Sequence, residues 1–265
     1  MGLFMFVAAC VLLLGFYTAT DPERLLHSDI LGTVDYAGYT VCHRLTDHSF
    51  TFAGRQMPLC ARCTGIYLGI SLVFAVLAIA GRWRWTELPS LPMLLVLGFF
   101  VAVMGVDGLN SYSHFFPDAP HLYQPRNWLR LITGMGTGLG MGIVSFPALA
   151  QTLWRDQIYR EPIASWRELG GLVALALILF SLVLSNRPVL LYVLSIVSAA
   201  GVVVIMTALN TILLLLVTRR EARVDSWLQA VRPLAVGLML ALLQIAAISY
   251  VRFSLTGTMT GFPGV

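Results

Sequence analysis

Lysine is missing altogether. All 17 basic residues of this 265-residue chain are arginine, and with 13 aspartates and glutamates only 11% of the chain is charged. A soluble domain carries about 25% charged residues, so there is too little charge here to cover a water-facing globule. A hydrophobic fraction of 58% excludes a disordered chain as well. The net charge of +4 is spread thinly between apolar runs and forms no basic stripe, which excludes nucleic acid as a partner. The sequence also lacks G-x-S-x-G and H-E-x-x-H, the commonest hydrolase signatures. Its C-x-x-C is followed by Thr64 rather than histidine, which removes a c-type haem. Linkers, low-complexity runs and clear internal repeats are absent too, so residues 1–265 read as a single membrane domain.

What is present is apolar length. A helix needs about 20 mostly apolar residues to cross the hydrocarbon of a bilayer. Seven stretches qualify: Leu3–Ala19, Thr64–Ala80, Leu91–Val106, Trp128–Ala150, Leu169–Leu184, Val189–Val217 and Pro233–Val251. Their unbroken apolar character lacks the period-two alternation of a membrane barrel. The expected fold is therefore all-α, a polytopic integral membrane bundle of about seven transmembrane helices in a lipid bilayer. Met1-Gly2-Leu3 has no positive charge, so the first stretch reads as a retained span rather than a signal peptide. Tryptophans 83, 85, 128, 154, 166 and 227 fall near span ends, where they read as interfacial anchors. With the N-terminus in the cytoplasm, the even-numbered loops place nine arginines inside (82, 84, 155, 160, 167, 219, 220, 223 and 232). The other eight lie outside, four of them (24, 44, 55 and 62) in the long first loop. Short loops obey the positive-inside rule best, which favours a multi-pass protein of the cell membrane with a cytoplasmic N-terminus.

The rare residues are unevenly placed. All five histidines (27, 43, 48, 114 and 121) lie in the first and third connections, which a serpentine brings to one face. Three of the four cysteines lie in the first connection, so residues 20–63 read as a Cys/His-rich extramembrane loop. Cys60 and Cys63 form a C-x-x-C before the second span, and Cys42, His43 and His48 precede them. Three thiolates and an imidazole suit tetrahedral zinc. His48 is the better fourth ligand by spacing, because Cys42 and His43 are neighbours and rarely reach one ion together. Two other readings stay open: a structural or redox disulfide among the same sulfurs, and apolar packing at a loop base. Cys10, alone in mid-span, reads as packing.

The run Cys42-His43-Arg44, followed by Pro58-Leu59-Cys60-Ala61-Arg62-Cys63-Thr64-Gly65-Ile66-Tyr67-Leu68-Gly69, resembles a prokaryotic family of predicted membrane proteins known only as a domain of unknown function. Asp107-Gly108, Asn127-Trp128-Leu129-Arg130 and Thr133-Gly134 extend the resemblance over about the first 145 residues. It implies that Cys42, His43, Arg44, Pro58, Cys60, Arg62, Cys63, Asp107, Asn127 and Arg130 belong to one site, and it implies no activity.

Elementary electrostatics adds to this. Asp107 closes the third span and Arg130 opens the fourth. Ionisable groups at membrane depth are costly unless paired, so an Asp107–Arg130 ion pair is the simplest expectation. Arg62 suits either an anion or a snorkelling position. In the fourth span Gly134, Gly138 and Gly142 share one face, and Gly136 and Gly140 a neighbouring one. That pattern serves a tight helix–helix seam or a smooth wall for a flat ligand such as a quinone. Asn210 and Gln244 read as interhelical hydrogen-bonding groups. Three functions follow: a zinc-stabilised loop capping a polar pocket for a small anionic or lipidic ligand, with Arg44, Arg62, Asp107, Asn127 and Arg130 around it; a thiol–disulfide enzyme working with a membrane quinone through Cys60 and Cys63; or a non-catalytic subunit bound to other membrane subunits.

Overall fold

In a computed structural model, residues 29–258 are described, apart from 53, 115 and 117–119. The stretch Leu3–Ala19, with Cys10, Arg24 and His27, lies outside the described residues. Seven helices occupy the rest: α1 (Asp29–Val41), α2 (Ala61–Ile79), α3 (Leu91–Ser113), α4 (Asn127–Leu153), α5 (Trp166–Leu184), α6 (Pro188–Val217) and α7 (Trp227–Thr256). All but α1 are long and apolar enough to cross a membrane, and the chain is an all-α polytopic membrane helix bundle.

The helix boundaries follow local chemistry. Pro188 opens α6, where its missing N–H costs nothing. Ser165 caps α5 by accepting the Glu168 amide, while the Glu168 carboxylate accepts the Ala164 amide, a capping box. Gly257, at φ 68°, ends α7 in the left-handed region that glycine enters freely. Two expected boundaries move. α7 begins six residues before Pro233, which the helix accommodates in its second turn. α3 runs on past Val106 to Ser113, so Asp107 lies inside the helix rather than at its end.

Between α1 and α2 the chain forms a 3-10 turn, Thr46–His48, and a hairpin of β1 (Thr51–Phe52) and β2 (Arg55–Gln56), paired Thr51 to Gln56 and Phe52 to Arg55. The helix α1 is not evident in the sequence. It stands against α6 and α7 through an apolar side containing Leu31 and Ala37, both buried.

Glycine places the central helices. A Cβ on Gly65 or Gly69 of α2 would lie 2.2 or 2.7 Å from the Leu131 or Met135 carbonyl of α4, and one on Gly134 or Gly138 would lie 2.2 or 2.1 Å from the Arg62 or Ile66 carbonyl of α2. The two backbones therefore touch directly, as small-residue membrane seams allow. α2 occupies the glycine face of α4, while Gly136 looks onto Phe100 and the edge of a 300 Å³ apolar recess between α3, α4 and α5. Asn210 and Gln244 exchange hydrogen bonds of 2.8 and 3.1 Å between α6 and α7. On the outside, Leu95 and Phe99 of α3 are each about two-thirds exposed, as suits a helix facing lipid. Trp154 departs from the anchor expectation: it is buried, edge-on to Trp227 at 4.8 Å, with the Arg84 guanidinium 4.9 Å from its ring.

Candidate functional site

α1 ends at Val41, and Cys42 follows as the chain turns out of the helix. Cys60 is the residue before α2, and Cys63 lies in that helix's first turn. Spacing of three along the helix start puts the latter two thiols on one side, and the α1–α2 connection returns Cys42 to them. The three sulfurs lie within 4.8 Å of one another. A tetrahedral zinc with Zn–S bonds near 2.3 Å needs sulfurs about 3.8 Å apart, so the triad lies close to binding geometry. Cys42 and Cys60 are buried among Val41, Leu59, Tyr67, Val202 and Met206.

Two backbone amides aim at the Cys42 sulfur, from Cys60 at 3.2 Å and Arg44 at 3.4 Å. Hydrogen bonds from Cys60 and Cys63 hold the Cys42 thiol far below the usual range, against the opposing cost of burial, with His43 and the Cys60 amide assisting. Cys60 is pushed up to about 12, chiefly because its proton is committed to Cys42. The hydrogen bonds among the sulfurs thus favour a thiolate at Cys42 over one at Cys60. Ionising all three in an apolar pocket requires a cation among them, which is the chemistry of a thiolate metal site.

The Cys42 segment is held by residues that stand outside the sequence motifs. The Arg252 guanidinium of α7 donates to the carbonyls of Tyr39, Cys42 and His43 and lies 4.1 Å from the Tyr39 ring centre, a cation at the C-terminus of α1. Asp35 of α1 accepts from Arg44 at 3.0 Å and Arg55 at 2.8 Å, which fastens the hairpin to the helix. Arg44 itself sits at φ 53°, a left-handed conformation uncommon for a non-glycine residue. Arg252 did carry a sequence signal: it is the last charged residue of the chain, embedded in an apolar run. Asp35 had none.

His43 and His48 meet each other rather than joining the sulfur triad as a fourth member. Nε2 of one lies 3.1 Å from Nδ1 of the other; among the described residues the metal-competent cluster is the three cysteines. His48 is pushed down to about 4, first by burial and then by the positive charges of Arg130, His43 and Arg62. Asp107 pairs with Arg62, not with Arg130 as expected. The α2–α4 seam brings Arg62 across to α3, where its guanidinium reaches both Asp107 and, at 3.2 Å, the Ser111 hydroxyl. Tyr123 donates to the other Asp107 oxygen at 2.9 Å. Asn127 ties α4 to the first connection through the Asp47 and Ser49 carbonyls, at 3.1 and 3.3 Å, and accepts from Arg130 at 2.8 Å. Arg130 is therefore left without a carboxylate partner among the described residues. It lines a 260 Å³ cleft with Asp47, His48, Ser111, His114 and Pro125. The first and third connections do converge at one mouth of the bundle.

A helical membrane bundle with a largely buried thiol triad and a cleft lined by Arg130 defines the class of protein. The chain belongs to the family described as predicted membrane protein (DUF2085), whose profile matches residues 42–144. It is 30% identical to an uncharacterized protein of Methanothermobacter thermautotrophicus over 105 residues, 40% of this chain and 84% of that protein. It is 26% identical to an uncharacterized protein of Methanocaldococcus jannaschii over 121 residues, 45% of this chain and 71% of the relative. No solved structure matches. The matched region ends within α4, so it contains the triad, Asp107, Asn127 and Arg130 but not Arg252.

Proposed function

We propose that this integral membrane protein binds zinc through Cys42, Cys60 and Cys63, and that the metal fixes the first connection as a cap over a cleft for a small anionic or lipidic ligand. The carrying observation is the sulfur triad itself: three thiols within 4.8 Å, with two backbone amides already directed at one of them. Metal thiolates favour such amide donors because the sulfurs keep excess negative charge. His43 follows Cys42 directly in the chain and its ring bonds that of His48, so the two histidines are the nearby imidazoles for the remaining coordination position or its outer shell. Arg130 supplies the anion contact, Asn127 orients it, and the Arg62–Asp107 pair and Arg44 brace the surrounding walls. The short loops at the opposite end hold nine of the 17 arginines, which supports a cytoplasmic location for that end and an extracytoplasmic one for the cap.

Elemental analysis of the purified full chain tests the metal. One zinc per chain is expected, with three thiols protected from alkylation until a chelator is added. Absence of metal together with a disulfide would overturn this reading and favour thiol–disulfide chemistry with a membrane quinone. An impermeant thiol reagent applied to intact cells after chelation reports the side of the membrane.

A further inference from the structure

His114, the residue that closes α3, is assigned no role by the family signature, yet it lines the cleft with its ring held from two sides. Its Nδ1 lies 2.8 Å from the Asn110 carbonyl. A carbonyl oxygen only accepts, so Nδ1 carries a proton, and Nε2 is the nitrogen that serves as acceptor when the imidazole carries one proton. That Nε2 is buried without a hydrogen-bond partner. The ring is fixed by stacking on His121, with centroids 3.9 Å apart and planes 28° from parallel. Arg130 is equally unsatisfied: it is only 5% exposed, its Nε is buried without a partner, and one Nη is engaged by Asn127. Ser111 accepts from Arg62, which leaves its own proton to donate. The cleft therefore offers donors from Arg130 and Ser111 but acceptors from His114 and, at the rim, Asp47.

We propose that this cleft binds a tetrahedral oxyanion that still carries a proton: hydrogen phosphate, or the singly protonated head of a phosphate monoester. This rests on the anion reading above and deepens it by naming the ligand's chemistry. The ionised oxygens take the guanidinium and the serine hydroxyl, and the P–OH donates to His114 Nε2. Sulfate, which has the same shape but no proton, would set an oxygen lone pair against the Nε2 lone pair. Such an unmet hydrogen bond in a buried site gives strong discrimination. A volume of 260 Å³ admits the oxyanion with a few further atoms, so the source is either free phosphate or the head of a lipid such as phosphatidate.

Calorimetry on the full chain in detergent at about pH 7.5, where free imidazole is neutral, compares inorganic phosphate with sulfate. Saturable phosphate binding, at least about 100-fold tighter than sulfate, is expected. Arg130→Gln should lose both anions. His114→Phe, or His114→Ala where the larger ring crowds the cleft, should bring the two anions to within about threefold of each other. Zinc content and elution profile, measured on the same samples, confirm that each variant is folded. In phosphatidylcholine nanodiscs containing phosphatidate, retention of that lipid and its displacement by inorganic phosphate assigns the lipid source; phosphate binding without lipid retention assigns the free ion. Equal affinity for sulfate overturns the proton-reading role of His114 while leaving an anion cleft. Failure of every anion and of phosphatidate to bind overturns the cleft reading as well, whatever the zinc content.

Discussion

The two ends of the bundle carry similar numbers of arginines but use them differently. At the tryptophan-rich end Arg82 pairs with Glu168, caps the Pro162 carbonyl and lies over Trp85. Arg84 reaches the Asp225 carbonyl and lies over Trp154, while Arg155 pairs with Asp225 at 3.1 Å. No buried polar atom without a partner occurs in the loops of that end among the described residues. At the cysteine end, by contrast, Arg130 and His114 keep buried nitrogens unmatched, and three thiols crowd within 4.8 Å of one another. Burying polar groups unmatched costs stability, and a fold tolerates it where a ligand completes the bonding. Among the described residues, one end satisfies the buried polar atoms of its loops and the other does not.

The contrast is broken most directly at its extremes. Cys60→Ser should reduce zinc from one equivalent per chain to a small fraction, with the corresponding loss of stabilisation by bound metal. Trp154→Ala at the other end should destabilise the fold by about 3–5 kcal/mol through the cavity it leaves, with one zinc still bound to the folded fraction. If both variants lose metal together, the two ends are not separable and the comparison fails. A smaller effect sharpens the same point. Asp107 is 1% exposed and Arg62 is 21% exposed, so Asp107→Leu leaves a largely buried cation and should cost about 3 kcal/mol. Arg155→Ala, which breaks a pair whose members are 59% and 39% exposed, should cost under about 1 kcal/mol. Denaturation midpoints of the two variants in the same detergent decide it, and equal losses would show that the Arg62–Asp107 pair is no more than surface electrostatics.

How far the sequence foretells this depends on the type of signal. The six long helices are legible because apolar length reports directly on the solvent that must surround them, and the C-x-x-C is legible because its spacing is local. Convergence of Cys42 on Cys60 and Cys63, and of His48 and His114 on one cleft, follows from the parity of the connections. The partner of Asp107 does not. Arg62 and Arg130 both stand at helix starts on the same face, and the choice between them is made by the depth of the α2–α4 seam, a tertiary quantity. α1 escapes notice because 13 residues flanked by polar loops are too few to read as a span, and its stability comes from packing on α6 and α7. Arg252 and Asp35 act on the triad from segments that bear no motif at all.

That seam can be tested at the level of a single methyl group. A Cβ at Gly138 would lie 2.1 Å from the Ile66 carbonyl, a backbone atom that cannot move aside without shifting α2. Gly138→Ala should therefore cost about 1–3 kcal/mol as an overpacked site. The strain does not stay local, since Cys60 immediately precedes α2, which carries Arg62 and Cys63 in its first turn. Displacing it pulls two sulfurs away from Cys42 and Arg62 away from Asp107, so zinc affinity should fall along with stability. Gly170 in α5 offers the control: a Cβ there meets nothing within 4 Å. Gly170→Ala should be neutral or stabilising by up to about 1 kcal/mol, because alanine gives up less backbone entropy in a helix. Competition with a chromogenic zinc chelator reads both variants. Unchanged zinc affinity in Gly138→Ala would mean that the thiol triad is placed by the α1–α2 connection alone, and that the glycine seam serves only the spans.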